Sequence, residues 1–274
     1  MRADLYLFQK GYTDSREQAR RLIEAGAVRI DGVPVKKPSL SVDEEGEHTV
    51  EIVRPAAERY VGRGGLKLER ALSYFAIDPA HMIAVDIGAS TGGFTDCLLQ
   101  NGADRVYAVD SGEGQLHPRL RADDRVVNIE KCNARSMTEE TLGERVDLAV
   151  MDVSFISQTC ILPVLPLLLR ESGLLISLIK PQFEAGRSAV GKGGIVRRRE
   201  HREAAIRRVL EGAAAVGLSC VGLTVSPITG GDGNIEYLAL FCRTAAMGTR
   251  RQIGEGEIRA VTEITKIGGE TDDR

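Results

Sequence analysis

The stretch Val85-Asp86-Ile87-Gly88-Ala89-Ser90-Thr91-Gly92-Gly93-Phe94 constrains the fold more than any other part of the chain. The apolar run at 81–85 reads as a buried strand, and Phe94 to Gln100 reads as a helix. Glycines at 88, 92 and 93 allow a sharp turn between the two and let a ligand approach the helix N-terminus. This predicts the nucleotide-binding turn of an open α/β sheet.

The residues around the turn narrow the ligand. A dinucleotide turn follows G-x-G-x-x-G, and here Ser90 stands at the second glycine position. Asp86, at the end of the strand, would repel a pyrophosphate but suits a cation. S-adenosylmethionine carries an ammonium group, a sulfonium and no phosphate. A second strand, Arg105 to Val109, ends in Asp110, where a carboxylate can accept from ribose hydroxyls. S-adenosyl-L-methionine is therefore the expected cofactor, ahead of NAD or a purely structural turn. Its expected contacts are Asp86, Gly88, Ala89, Ser90, Thr91, Gly92, Gly93, Phe94 and Asp110, with Asn133 toward the adenine and Asp152 beside them.

Further strands are predicted at Val126–Ile129, Val146–Met151, Leu174–Ile179, Cys220–Val225 and Tyr237–Phe241. The third runs toward Asn133, the fourth delivers Asp152 and the fifth delivers Lys180. Ligands and catalytic groups of open α/β sheets gather at the carboxyl ends of strands, where Asp86, Asp110, Asp152 and Lys180 all fall.

The first 54 residues read as a separate small α+β domain. One helix opens at Asp4 and stops near Gly11. A second is capped by Asp14 or Ser15 and ends at Gly26, and Val28 to Val35 forms a hairpin on an Asp-Gly turn. Between Arg2 and Lys37 eight basic residues face five acidic ones, so Arg2, Arg16, Arg20 and Arg21 are either solvated charges of a helical hairpin or candidates for contact with RNA phosphates, which the charge count alone leaves open. Residues 55–65, with Pro55 at one end and three glycines at the other, read as a linker that holds Arg63, a further candidate for RNA contact. A helix then starts at Leu66, and its Lys67 reads as exposed. Past Glu184 a glycine-rich segment leads into an arginine run. Arg187 and Lys192 are candidates for RNA contact there, and Arg202 to Leu210 reads as a solvated arginine face. Residues 245–274 read as a polar tail with at most one short helix, Glu257 to Lys266.

A net charge of −3 confines any nucleic-acid affinity to local patches. Five scattered cysteines without a C-x-x-C pair fit reduced thiols and give no metal site. The longest apolar run, Cys160 to Leu169, is too short to span a bilayer, and no apolar signal region opens the chain. A soluble, cytoplasmic protein is expected.

Ser15-Arg16-Glu17-Gln18-Ala19-Arg20-Arg21-Leu22-Ile23 and Gly26 to Gly32 resemble the small RNA-binding domain of ribosomal protein S-four. Arg63 to Leu68, Asp86 to Asp96, Met151 to Ser157, Ile179 to Glu184 and Gly233 to Tyr237 together resemble the TlyA family. These are ribosomal RNA 2′-O-methyltransferases, some with the older name of haemolysin. The catalytic half, 66–244, is similar to the FtsJ type of RNA ribose methyltransferase, whose Lys-Asp-Lys-Glu tetrad would fall on Lys67, Asp152, Lys180 and Glu236. The resemblance implies a Rossmann-like seven-stranded methyltransferase acting on cytidine in ribosomal RNA or ribosomal subunits.

The chemistry accounts for such a tetrad. A ribose hydroxyl is a poor nucleophile until its proton is taken or its oxygen polarised, which a partly buried lysine beside another cation can do. Lys180 is the expected base or polarising group and Lys67 its assistant, with Asp152 and Glu236 holding the pair. In-line placement supplies the rest. Two rivals are an RNA-binding or ribosome-assembly protein with an inactive methyltransferase domain and a membrane-active haemolysin. The second has no spanning segment to support it. A base methyltransferase is disfavoured by the lack of a catalytic cysteine motif.

Overall fold

The computed structural model describes residues 1–13, 15–44, 46–53 and 59–264. The chain divides into two compact units, Met1–Arg59 and Tyr60–Arg274.

In the first unit, α1 (Ala3–Gln9) and α2 (Arg16–Glu24) precede β1 (Val28–Ile30), β2 (Val33–Pro34) and β3 (Val50–Ile52). Ser15 caps α2 by accepting from Gln18 N at 3.1 Å. The alternative cap, Asp14, lies outside the described residues. Asp31 and Gly32 both take positive φ, 53° and 75°, as the tightest hairpin turn requires. The antiparallel order is β2-β1-β3, so β3 adds a strand that the hairpin pattern did not foretell. Leu7, Leu22, Ile23 and Val28 bury their side chains completely or nearly so, and form this unit's own core.

The second unit opens earlier than the predicted linker boundary. Tyr60 is buried in its core, and α3 (Gly64–Phe75) starts two residues before Leu66. There follow β4 (Ile83–Ile87), α4 (Gly93–Gln100), β5 (Arg105–Val109), α5 (Pro118–Arg121), β6 (Val126–Ile129) and α6 (Glu139–Leu142). Next come β7 (Val146–Met151), α7 (Leu165–Leu168), β8 (Leu169–Ile179), α8 (Pro181–Glu184), α9 (Arg199–Ala215), β9 (Leu218–Val225), β10 (Tyr237–Arg243) and α10 (Glu255–Glu263). The seven strands lie in the order β6-β5-β4-β7-β8-β10-β9, parallel except for β10, which runs antiparallel to both neighbours. β4 begins two residues later than predicted because His81 sits in a turn at φ 62°, and Asp86 becomes its penultimate residue.

Apolar residues cover both faces of the sheet, as its continuous hydrophobic strands require. One correction concerns the tail. α10 buries Ile258 and Val261 in the same core as β9 and β10, which makes it part of the unit; residues 265–274 lie outside those described. A second concerns the arginine face of α9. Arg202 is only 4% exposed and donates to Tyr237 Oη at 3.0 Å and to the Thr262 carbonyl at 3.2 Å, so it ties α9 to β10 and α10. Among the described residues no helix is long and apolar enough to cross a membrane.

Candidate active site

After β6 the chain crosses back to place β7 beside β4, on the side away from β5. β4 and β7 stay paired to their carboxyl ends, Ile87 beside Met151, and the strand order reverses between them; at such a switch point an open α/β sheet forms its crevice. A cavity of about 690 Å³ occupies it, lined by Gly88, Ser90, Asp110, Asn133, Asp152 and Phe155 among others. A smaller cavity of about 220 Å³ continues past Asp86, Ala89, Thr91, Gly93 and Phe94 to Arg63, Asp152 and Lys180.

The glycine turn is held by carboxylates. Asp110 accepts from Ser90 N at 2.8 Å and from Gly112 N at 2.7 Å, which fixes the turn as well as lining the larger cavity. Gly88 adopts φ 86°, and a Cβ there would stand 2.5 Å from the Asp152 carbonyl oxygen. Gly92 lines neither cavity; its φ of 96° serves the turn, and a Cβ would collide with Leu116 and Leu120. Gly93 lies under residues 62–65, with Gly65 N and Gly62 O about 3 Å from where its Cβ would stand. Asn133 caps a short turn by accepting from Arg135 N at 3.2 Å while lining the larger cavity.

Asp86 is completely buried. Thr95 donates its N–H and hydroxyl to Oδ2 at 2.9 and 2.7 Å, whereas Oδ1 has no partner among the described residues. Burial raises the carboxyl pKa to about 7 against the Thr95 hydrogen bonds that lower it, and the negative charges of Asp152 and Asp110 add to the rise. An orphaned carboxylate oxygen at the wall of the smaller cavity fits a cationic ligand group, such as the ammonium of S-adenosylmethionine.

The two lysines each meet a carboxylate. Lys67 Nζ lies 2.5 Å from Glu236 Oε2, and Lys67 is buried rather than exposed. Lys180 Nζ lies 2.6 Å from Asp152 Oδ1 as an ion pair, at an angle outside hydrogen-bond geometry, and donates its hydrogen bond to Ser154 Oγ at 2.8 Å. The topology brings the pairs to one corner. Tyr237 is in register with Ile179, so Glu236 comes level with Lys180 one residue further on. Gly64, one turn before Lys67 on α3, packs against Phe94, and a Cβ there would lie 3.9 Å from Asp152 Oδ2.

Sequence reasoning missed three contributors. Phe155 is 93% exposed in a left-handed conformation, φ 63°, with its ring 5.3 Å from that of Phe183. Together with Arg187 these rings line a groove next to the lysine-bearing strand end. Asn234, 1% exposed, accepts from Val196 N and donates to the Gly194 carbonyl, both at 2.9 Å, and so holds the turn that exposes Lys192. Val61 N donates to Asp96 Oδ2 at 2.8 Å and anchors residues 60–65 to α4. Phe155 and Asn234 both stand inside motifs visible in the sequence, but no periodicity marks their roles. Arg63 is exposed and donates to the Thr229 carbonyl at 3.2 Å.

In the first unit, Arg2, Arg16 and Arg20 line one cavity of about 600 Å³, while Arg21 is exposed on α2 outside its lining.

Residues 60–243 match the family model described as FtsJ-like methyltransferase, and residues 1–48 match the S4 domain. The 16S/23S rRNA (cytidine-2′-O)-methyltransferase TlyA of Mycobacterium tuberculosis is 45% identical over 243 residues, covering 89% of this chain and 90% of that protein. Hemolysin A of Brachyspira hyodysenteriae is 44% identical, covering 88% of this chain and 99% of its own. A solved structure from Streptococcus thermophilus, described provisionally as a hemolysin, superposes with a TM-score of 0.72 at 42% identity over 96% of this chain and 94% of that one.

Proposed function

From the premise that the chain belongs to the FtsJ-like methyltransferase family and carries an S4 domain, we propose that it methylates a ribose 2′-hydroxyl of cytidine in ribosomal RNA. The observation that carries this reading is the gathering of two lysine–carboxylate pairs, from four distant segments, at the strand ends beside the glycine turn.

S-adenosylmethionine, when bound, supplies a methyl group already activated by a sulfonium. Asp86, Asp110 and the backbone of residues 88–91 and 93 would hold it, with Asn133 at the far end of the crevice. Lys180 has three N–H donors; one is used on Ser154, and Asp152 lies against the same ammonium. Lys180 can therefore turn a donor to the target hydroxyl and, in its neutral form, take its proton. Glu236 fixes Lys67 so that the second amine approaches the same oxygen from α3. Ordering these groups in a partly dry corner contributes by positioning and by electrostatic preorganisation.

The exposed Phe155 ring beside such a corner suits an unstacked base, and arginines of the S4 domain suit the phosphates of structured RNA. The test is transfer of tritium from labelled S-adenosylmethionine to purified small and large ribosomal subunits. Label that blocks alkaline cleavage at a single nucleotide would establish ribose methylation and identify the target. Undiminished transfer by Lys180→Ala would remove the proposed base, and no transfer despite cofactor binding would favour a non-catalytic RNA-binding protein.

A further inference from the structure

The cavity of the first unit is lined by three arginines and three acidic residues, Asp4, Glu17 and Glu24. Asp4 differs from the other two. It is 2% exposed, and its carboxylate accepts four hydrogen bonds. Oδ1 accepts from Arg2 Nε at 3.0 Å and from Leu5 N at 3.0 Å, and Oδ2 accepts from Arg16 Nε at 2.9 Å and Arg2 Nη2 at 3.2 Å. A carboxylate has about four acceptor positions, so this one is saturated. The arginine side chains remain half exposed, at 50% and 51%. Their other N–H groups have no protein partner among the described residues.

We propose that Asp4 is a positioning residue for RNA, a buried carboxylate that orders the Arg2 and Arg16 guanidinium groups to present their outer N–H donors to backbone phosphates. This rests on the reading of the first unit as an RNA-binding domain. A free arginine gives up much of its rotamer freedom when it binds. Here Asp4 has already fixed the side chains through their inner edges. Its charge is turned away from the ligand, and the two arginines, held by one residue, converge on the same cavity. The neighbouring Glu17 also lines the cavity but is exposed, so it acts on a phosphate as a plain negative charge.

The two carboxylates are therefore expected to differ in sign. Glu17→Gln removes a repulsive charge and should leave RNA binding unchanged or tighten it. Asp4→Asn makes the same change in net charge, and its amide can still accept from Leu5 N, but it should weaken binding about tenfold. Binding of the full-length protein to purified ribosomal subunits is measured across a salt series. With Asp4→Asn the slope of log affinity against log salt should fall by about one, as for one lost phosphate contact. S-adenosylmethionine affinity, read on the second unit, should not move, which shows that the second unit is intact in the variant. If Asp4→Asn unfolds the first unit, the double variant Arg2→Lys with Arg16→Lys keeps every charge and should weaken binding by a similar factor. Asp4→Asn binding as tightly as Glu17→Gln, or undiminished binding by the double lysine variant, overturns the role of Asp4. Undiminished binding by Arg2→Ala and Arg16→Ala overturns the RNA reading of this face, and the proposal with it.

Discussion

Lys67 and Glu236, 169 positions apart in the sequence, meet at 2.5 Å with side chains 10% and 2% exposed. Removing one member of such a pair leaves the other charge buried without compensation, which costs about 3–5 kcal/mol. Glu236→Ala should therefore lower the melting temperature as well as activity. Glu236→Gln keeps the shape and an acceptor for Lys67 but also removes the compensating charge, so it should lose stability as well, though less than Glu236→Ala, and lose about 100-fold in kcat, the lower end of what a positioned proton-handling group contributes. Thermal melts beside single-turnover methylation would separate the two effects. Full activity in Glu236→Gln would place the pair outside the chemistry.

The pair also marks what the sequence could and could not disclose. Strands β4 to β8 are legible because a buried parallel strand must be a continuous apolar run, and the glycine turn because so few residues tolerate its backbone. Asp86, Asp110, Asp152 and Lys180 follow from those strands by position. Lys67 does not. Its helical spacing marks an exposed residue, and only Glu236, brought by β10 to the same corner, makes its burial possible. The tail was misread for the same reason. Ile258 and Val261 form a weak pattern alone, and their value depends on β9 and Arg202, elements that no local window contains.

If Asp86 holds the cofactor's cation as proposed, cofactor binding should depend on pH. Its carboxyl pKa is raised from 3.8 to about 7, chiefly by burial. The folded state therefore holds this proton more tightly than the unfolded state does. This group's contribution to stability falls as pH rises from about 4 to about 7, by an amount of order a few kcal/mol, and is level on either side. A cation bound at Oδ1 requires the carboxylate. The dissociation constant for S-adenosylmethionine should then rise as pH falls below about 7, by up to tenfold per unit, and be flat above. In Asp86→Asn this dependence should disappear and the affinity be low throughout. Calorimetric titration at pH 6, 7 and 8 decides it: a flat wild-type profile would remove the raised carboxyl, and unchanged affinity in Asp86→Asn would remove Asp86 as the cation's partner.

The glycine turn predicts two grades of damage. Gly88→Ala meets both a left-handed backbone and the Asp152 carbonyl at 2.5 Å, so β4 and β7 must separate for it to fit. It should abolish cofactor binding and destabilise the unit by more than the ~1–2 kcal/mol of left-handed strain alone. Gly93→Ala has ordinary helical φ and must only lift residues 62–65 by a few tenths of an ångström. A milder loss is expected, about tenfold in cofactor affinity with the melting temperature nearly kept. Equal effects in the two variants would mean that close approach of residues 62–65 matters as much as the turn.

Phe155 costs the free protein stability, since an aromatic residue at φ 63° is strained and 93% of it meets water. Phe155→Gly relieves the strain and should leave the melting temperature equal or higher, although added freedom in the unfolded chain offsets part of the gain. Stacking on a base is worth about 1–3 kcal/mol, so the same variant should lose between fivefold and 150-fold in kcat/KM for RNA. A more stable, less active variant would identify strain kept for function. Unchanged turnover would show that the exposed ring meets no substrate.

Asn234 offers the last case, because its side chain binds backbone in both directions. It accepts from Val196 N and donates to the Gly194 carbonyl, just past the exposed Lys192 and two residues before Glu236. The start of β10 and the basic segment are thus set by one buried amide. Asn234→Asp keeps the acceptor, loses the donor and turns a charge toward a carbonyl; Asn234→Ala loses both bonds and leaves the buried Val196 N–H unsatisfied, at about 1–3 kcal/mol, beside a half-buried Gly194 carbonyl. If the segment's main task is to hold RNA, both variants should raise the KM for RNA about tenfold while kcat at saturating RNA stays within twofold, and trypsin should cut faster at Arg197 to Arg199. If kcat falls instead and KM holds, Asn234 acts through Glu236, and the basic segment is packing for the catalytic corner rather than a surface for the substrate.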